Sequence, residues 1–289
     1  MNTLFVNDVD TLAQRISDGA SVSLNKGDEA DVPMALAHAL VRRGVRGLHV
    51  VTIPTCAYPA SGMLLDLLIG AGCVASVETS GVSLHELGAA PCFSRAVKAG
   101  HLRVIDATCP AVYAGLQAGV KGQPFAPLRG LIGSDVQRHR SDYKVIPNPF
   151  APHPEQTPDP IVLVPAINPD VAIFHAPLAD REGNIWIGRD RDRLNVAHAA
   201  RTVLVTVDAV QEGNLLQDPV MCAGVVASFH IDGICVAPNG CWPMHSDGSL
   251  DLDAVRVYQA AAQSEDGLAN YIRTTVQHDA WSTSLRSAT

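Results

Sequence analysis

Residues 162–188 read VLVPAINPDVAIFHAPLADREGNIWIG. Inside this stretch Asp170 to Ala176 is nearly continuous apolar sequence, bounded by Pro169 and a polar cluster. A run that short and that apolar predicts a strand covered on both faces, as central strands of parallel sheets are. Asp180 to Asn184 predicts a tight reversal. Gly183 accepts the positive φ such a turn needs, and Asp180 and Asn184 can bond their own backbone. Ile185 to Ile187 leaves the turn as an edge-like strand.

Upstream, strands alternate with helices. A short amphipathic helix spans 10–16, with Leu12 and Ile16 on its apolar side, and Asp18-Gly19 turns into a strand at 20–24. Pro33 opens a helix over 34–43, since proline early in a helix forfeits no hydrogen bond. Strands follow at 48–53, 74–79 and 102–107, with helices at 63–69, 92–98 and 111–120. Downstream lie a helix at 194–200, strands at 202–207, 220–229 and 232–236, and helices at 252–262 and 266–276. This alternation predicts one α/β domain over 1–289, a doubly wound, mostly parallel sheet with helices on both faces. Between about 122 and 160 proline and glycine are dense and periodicity is weak. That segment reads as a long excursion with little regular structure, of the kind that is functional or contacts a partner. Residues 161–164 then read as a strand.

In such sheets ligands bind outside the carboxyl ends of the strands. The exit loops therefore define the expected site: 25–31, 54–59, 80–82 and 108–110, with 237–243 as one more. Cys109 precedes Pro110 at the start of a helix, where a thiol can become a thiolate. It can act as nucleophile, as proton relay, or only line the pocket. Lys26 can hold a carboxylate or a phosphate as a point charge, or stand solvated. Backbone N–H groups around Gly27 can serve as oxyanion donors. His245 is an acid–base candidate, whereas His175 on the central strand reads as a core histidine and Glu29 as a solvated loop residue.

Of the 289 residues, 47% are hydrophobic and only 17% charged, enough for a large core, and 5% are aromatic. The net charge of -8 argues against a nucleic-acid partner. No apolar run is long enough to cross a bilayer and the first residues lack a signal-peptide pattern, so a cytoplasmic, non-membrane protein is expected. The seven cysteines form no CxxC pair and read as reduced; no metal site is expected.

The pattern P-A-x-x-P-D-V-A-x-x-H-A-x-x-A-D-x-x-G-N over 165–184 resembles a signature of the A (alpha) component of class I CoA-transferases of the glutaconate CoA-transferase type. The resemblance continues in order through Pro33-Met34-Ala35-Leu36, the 67–74 stretch LLIGAGCV, the 114–118 stretch AGLQA with 122–127 GQPFAP, and 203–210. It covers about residues 10–275. Individually these are packing and turn residues; their order is what is specific.

That resemblance implies an enzyme that moves CoA between carboxylic acids, with an acyl-CoA thioester as substrate and no permanently bound cofactor. It implies a B (beta) subunit in a hetero-oligomer such as A2B2, and in this type the attacking glutamate belongs to B. The pocket implied here comprises Asn25, Lys26, Gly27, Pro54, Thr55, Ser80, Gly81 and Thr108, with Cys109 as the candidate catalytic residue. Some relatives are hydrolases that cleave a C–C bond of a cyclic CoA thioester, using a glutamate after the fourth strand. Here that place reads Thr108-Cys109-Pro110, and the usual glycine-rich first loop is replaced by residues 24–33. Hydrolysis, C–C cleavage or decarboxylation of a CoA thioester is therefore the alternative.

Overall fold

The computed structural model describes residues 4–152 and 158–277. The chain begins with β1 (Phe5–Val6), α1 (Val9–Ala13), β2 (Ser21–Asn25), α2 (Met34–Arg43), β3 (Leu48–Ile53), α3 (Pro59–Gly70) and β4 (Val74–Thr79). It continues through α4 (Pro91–Lys98), β5 (Arg103–Asp106), α5 (Cys109–Val120), β6 (Phe125–Leu128), α6 (Asp135–His139), β7 (Lys144–Pro147) and β8 (Pro160–Pro165). The central strand β9 (Val171–Asp180) precedes β10 (Ile185–Trp186), α7 (Arg191–Ala199) and β11 (Thr202–Gln211). Last come β12 (Val225–Val226), β13 (Gly233–Val236), α8 (Leu252–Ala261) and α9 (Glu265–Tyr271). Prolines stand in the first turn of α3, α4 and α5, where the missing N–H is not needed.

The main sheet runs β1-β13-β11-β9-β2-β3-β4-β5, parallel throughout, and β10 and β12 add an antiparallel corner beyond β9. It is the doubly wound α/β architecture expected. The first six residues of β9 are all buried, as the opening stretch requires. One face packs on Leu12, Leu36, Leu40, Met63 and Tyr258 from α1, α2, α3 and α8. The other packs on Val112 and Leu116 of α5 and Val196 of α7. The reversal after β9 forms as expected. Gly183 has φ +92°, and the Asp180 carboxylate accepts from the Asn184 N–H (2.9 Å) and amide (2.7 Å) and from the Leu215 N–H (2.8 Å).

Two expectations are corrected. The 122–160 excursion is not structureless: β6, β8 and β7 form a separate three-stranded antiparallel sheet, and α6 lies within the excursion. The strand expected at 161–164 belongs to that small sheet. Arg140 fastens the excursion to the main sheet, reaching Glu78 on β4 (2.8 Å) and the carbonyl of Asp106 on β5 (3.0 Å). The second correction concerns 220–229, which holds only the two-residue β12 between 3-10 turns. Its apolar residues do not make it a strand, because Val220 (86%) and Phe229 (82%) face outward. The two-residue β1 was not expected, and elsewhere the differences are at element ends. α3 starts four residues earlier than expected, at Pro59, and α5 starts at Cys109 rather than Ala111.

Candidate active site

From β2 the chain steps outward through β3, β4 and β5; from β9 it steps the other way through β11 and β13. The order reverses between β2 and β9, where open parallel sheets form a ligand crevice. Here the two strands pair only at Val22–Val171 and Ser23–Ala172 and then part. Residues 26–33 fold into the gap, and the His175 N–H donates to the Asp31 carbonyl at 2.9 Å. Gly27 permits this path. Its φ is +75°, and a Cβ there would stand 2.6 Å from Ser61 Cβ and 2.8 Å from Val32 Cγ2.

Two neighbouring residues of α7 clamp this loop. Lys26 Nζ lies 2.9 Å from Asp28 and 3.7 Å from Asp192, and Glu29 lies 3.2 Å from Arg193. Arg193 is buried. It also bonds Asp190 (2.8 Å) and the carbonyls of His175 (3.0 Å) and Ile187 (2.9 Å). The hydrogen bond to Asp28 holds the Lys26 ammonium above its ordinary pKa, and burial raises Asp192 despite the Tyr113 hydroxyl that donates to it at 2.9 Å. Beneath the loop the side chains of Asn25 and Asp31 are buried with no hydrogen-bond partner. Burial pushes the Asp31 carboxyl up to about 7, against the pull of Arg193. Asn25 packs closely among Leu24, Val32, Pro33, Cys56, Ser61 and Leu64, with no space there for a water molecule.

Over β3, β4 and β5 the edge is built differently. The Thr55 hydroxyl donates to the Gly81 carbonyl (2.7 Å) and the Ser80 hydroxyl to the Pro54 carbonyl (3.0 Å), so the two exit loops lock together. Thr108 caps α5 through the Ala111 N–H (3.4 Å). Cys109, the first residue of α5, is exposed, and its thiol donates to Ser80 Oγ at 3.3 Å.

The residues expected at the site thus meet along one edge, in two groups: Asn25, Lys26 and Gly27 over β2, and Pro54, Thr55, Ser80, Gly81, Thr108 and Cys109 over β3 to β5. Thr55 and Ser80 donate to loop carbonyls, and Lys26 is held between two carboxylates. Glu29, read as solvated, is half-exposed and paired with Arg193. His175 is fully buried, with Nδ1 2.9 Å from the Thr206 hydroxyl and Nε2 3.3 Å from Asp208. Tyr113, Asp192 and Arg193 lie outside the expected set. Tyr113, one turn after Cys109 on α5, was within reach of the helical period; the α7 pair had no local signal. Among the described residues no group of three His, Cys, Asp or Glu side chains is placed to hold a metal ion, and no helix is long and apolar enough to cross a membrane.

Residues 6–228 match the family model described as coenzyme A transferase. The chain is 30% identical over 249 residues to the A component of 3-oxoadipate CoA-transferase from Pseudomonas knackmussii, covering 85% of this chain and 82% of that one. It is 32% identical over 238 residues to the cholesterol ring-cleaving hydrolase IpdA subunit of Rhodococcus jostii, with 80% and 77% covered. Among solved structures, a variant of the decarboxylase AibA/AibB superposes with a TM-score of 0.78 at 26% identity, covering 96% of this chain and 100% of that one. With the parallel sheet and its loop-built edge already in place, these matches assign the chain to the coenzyme A transferase family, as the A component of a class I enzyme.

Proposed function

We propose that this chain is the A component of a two-component CoA-transferase that moves CoA between carboxylic acids, the attacking glutamate being supplied by a B subunit. The observation that carries this reading is the start of α5: Cys109 stands where the hydrolase-like relatives are expected to hold an acid. The one glutamate of the β2 to β5 exit loops, Glu29, is tied to Arg193. Such an edge offers a cradle without its own attacking glutamate. The similarity to the A component of a CoA-transferase supports the same division of labour.

In this mechanism the partner's carboxylate adds to the thioester carbonyl and expels the CoA thiolate, leaving a mixed anhydride. The thiolate then adds to the glutamyl carbonyl and releases the first acid, leaving a glutamyl-CoA thioester. The second acid reverses both steps. A carboxylate is a weak nucleophile, so oxyanion donors and exclusion of water must come from the cradle. The test is to purify the chain with its B subunit, add an acyl-CoA and then borohydride, and weigh both polypeptides by mass spectrometry. A reduced glutamyl adduct on the B subunit is the expected result.

A second reading has its own support. Cys109 is exposed at a helix N-terminus against Ser80, and the decarboxylase and ring-cleaving hydrolase are both similar to this chain. In that case free CoA or a cleaved acyl product accumulates and no adduct is trapped.

A further inference from the structure

Residues 26–33 fill the crevice between β2 and β9, yet little holds their first part in place. Gly27, Ala30 and Asp31 are the buried residues of 26–31, while Asp28 and Glu29 are exposed. A glycine, an alanine and a carboxyl bury little apolar area, so the hydrophobic contribution to closure is small. The backbone is tied to the rest of the chain by the Ser61 hydroxyl, which donates to the Lys26 carbonyl, and by the His175 N–H, which donates to the Asp31 carbonyl (2.9 Å). Lys26 and Glu29, both partly exposed, pair with Asp192 and Arg193. Ion pairs open to solvent contribute little, and Arg193 keeps Asp190 and two carbonyls when Glu29 leaves.

Closure also has a cost. Both polar atoms of the Asn25 side chain and both carboxyl oxygens of Asp31 are buried without a partner, and Asn25 packs where no water molecule fits. Buried polar groups are almost always hydrogen-bonded, and each bond left unmade disfavours the state that buries the group. Swinging 26–31 outward returns Asp31 to water and uncovers Asn25 at the end of β2. Gly27 supplies the joint, because glycine takes positive and negative φ about equally well. Val32, 2% exposed, anchors the other end. We infer that residues 26–31 are a hinged cover over the β2/β9 crevice, shut in this structure and opening to uncover the Asn25 side chain. The Lys26–Asp192 and Glu29–Arg193 pairs are its latch, and the unpartnered groups beneath it are what favours opening.

The experiment is amide hydrogen exchange, read residue by residue by mass spectrometry on the chain purified with its B subunit. The His175 N–H is bound to the cover. Alternation along β9 turns the N–H groups of Phe174 and Ala176 the other way, toward β11, where they stand in register with Val205 and Val207. Opening of the cover therefore exposes the His175 amide alone, whereas unfolding of the sheet exposes all three. Relative to intrinsic rates, His175 is expected to exchange at least about tenfold faster than its two neighbours. Glu29→Gln loosens the latch and should speed His175 by about threefold. Asn25→Val removes the unpartnered amide at similar size and should slow His175 by about tenfold, the reverse of what losing a satisfied amide would do. Protection of His175 equal to that of Phe174 and Ala176 in the unmodified protein overturns the inference, whatever the variants do. An unchanged His175 rate in Glu29→Gln overturns the latch. An unchanged or faster rate in Asn25→Val overturns the part given to the buried amide.

Discussion

Over the gap between β2 and β9 the carboxyl edge of the sheet is filled by charged side chains already bound to one another, whereas over β3, β4 and β5 it is finished by hydroxyls tied to carbonyls and by one exposed thiol. Topology places both regions where a ligand is expected. Side-chain pairing makes them different. The first is a buried network, in which losing one member strands another charge in low dielectric. The second is a rim whose Cys109 has little to lose in packing. The chain's own residues 26–33 occupy the reversal point, which leaves the β3–β5 edge as the open one.

Substitutions at four positions probe that contrast. Removing Arg193 acts most strongly, because Arg193→Met leaves Asp190 and Glu29 without their cation and two carbonyls without their donor. Losing one partner of a buried ion pair costs about 3–5 kcal/mol, to be read from urea unfolding. A loss under about 1 kcal/mol would mean that the clamp contributes little. Gly27→Ala comes next, since the new methyl meets Ser61 and Val32 in a left-handed backbone. Overpacking and φ strain together cost about 2–4 kcal/mol, measured the same way.

The third is a pH effect. The Asp31 carboxyl titrates near 7 in the folded chain against 3.8 for an unperturbed group. Over that interval the native state keeps a proton that the unfolded chain has released. Stability from this group is therefore fully present below about 4 and declines as pH rises to about 7. Asp31→Asn should flatten that decline in a series of Tm values against pH; an unchanged slope assigns it to another group. The smallest effect is expected at Cys109. If it only lines the rim, Cys109→Ala alters turnover a few-fold and stability by less than about 0.5 kcal/mol. Abolished turnover in both Cys109→Ala and Cys109→Ser, with the fold intact, would give the thiol a direct part and favour the hydrolase-like reading.

The strands of the main sheet were legible because β3 and the first half of β9 are apolar runs of the length that strands buried on both faces require. The small sheet was not. Pro127, Pro147, Pro160 and Pro165 all stand within its strands, and several of its side chains are exposed, so neither composition nor period marked it. Residues 220–229 misled in the opposite direction, because apolar content without burial has the same appearance in one dimension. The exit loops followed from topology alone. What they contain did not, since Asp192, the second partner of Lys26, and Arg193, the partner of Glu29, lie on α7, more than 160 residues away. That Thr55 and Ser80 donate to loop carbonyls was equally invisible, because a hydroxyl in a loop suits a ligand or a backbone equally well.

The Asp180 carboxylate at the end of β9 bears on the order in which the chain assembles. Two of its donors come from Asn184 and the third from Leu215, 35 residues further on. A buried carboxylate lacking a partner is penalised, so the β9–β10 reversal is complete only when the segment after β11 has arrived. The turn is local in sequence, yet it closes as a non-local contact. During synthesis the third of these hydrogen bonds cannot form until the chain has emerged through Leu215, so a segment made after β11 completes the set begun by Asn184.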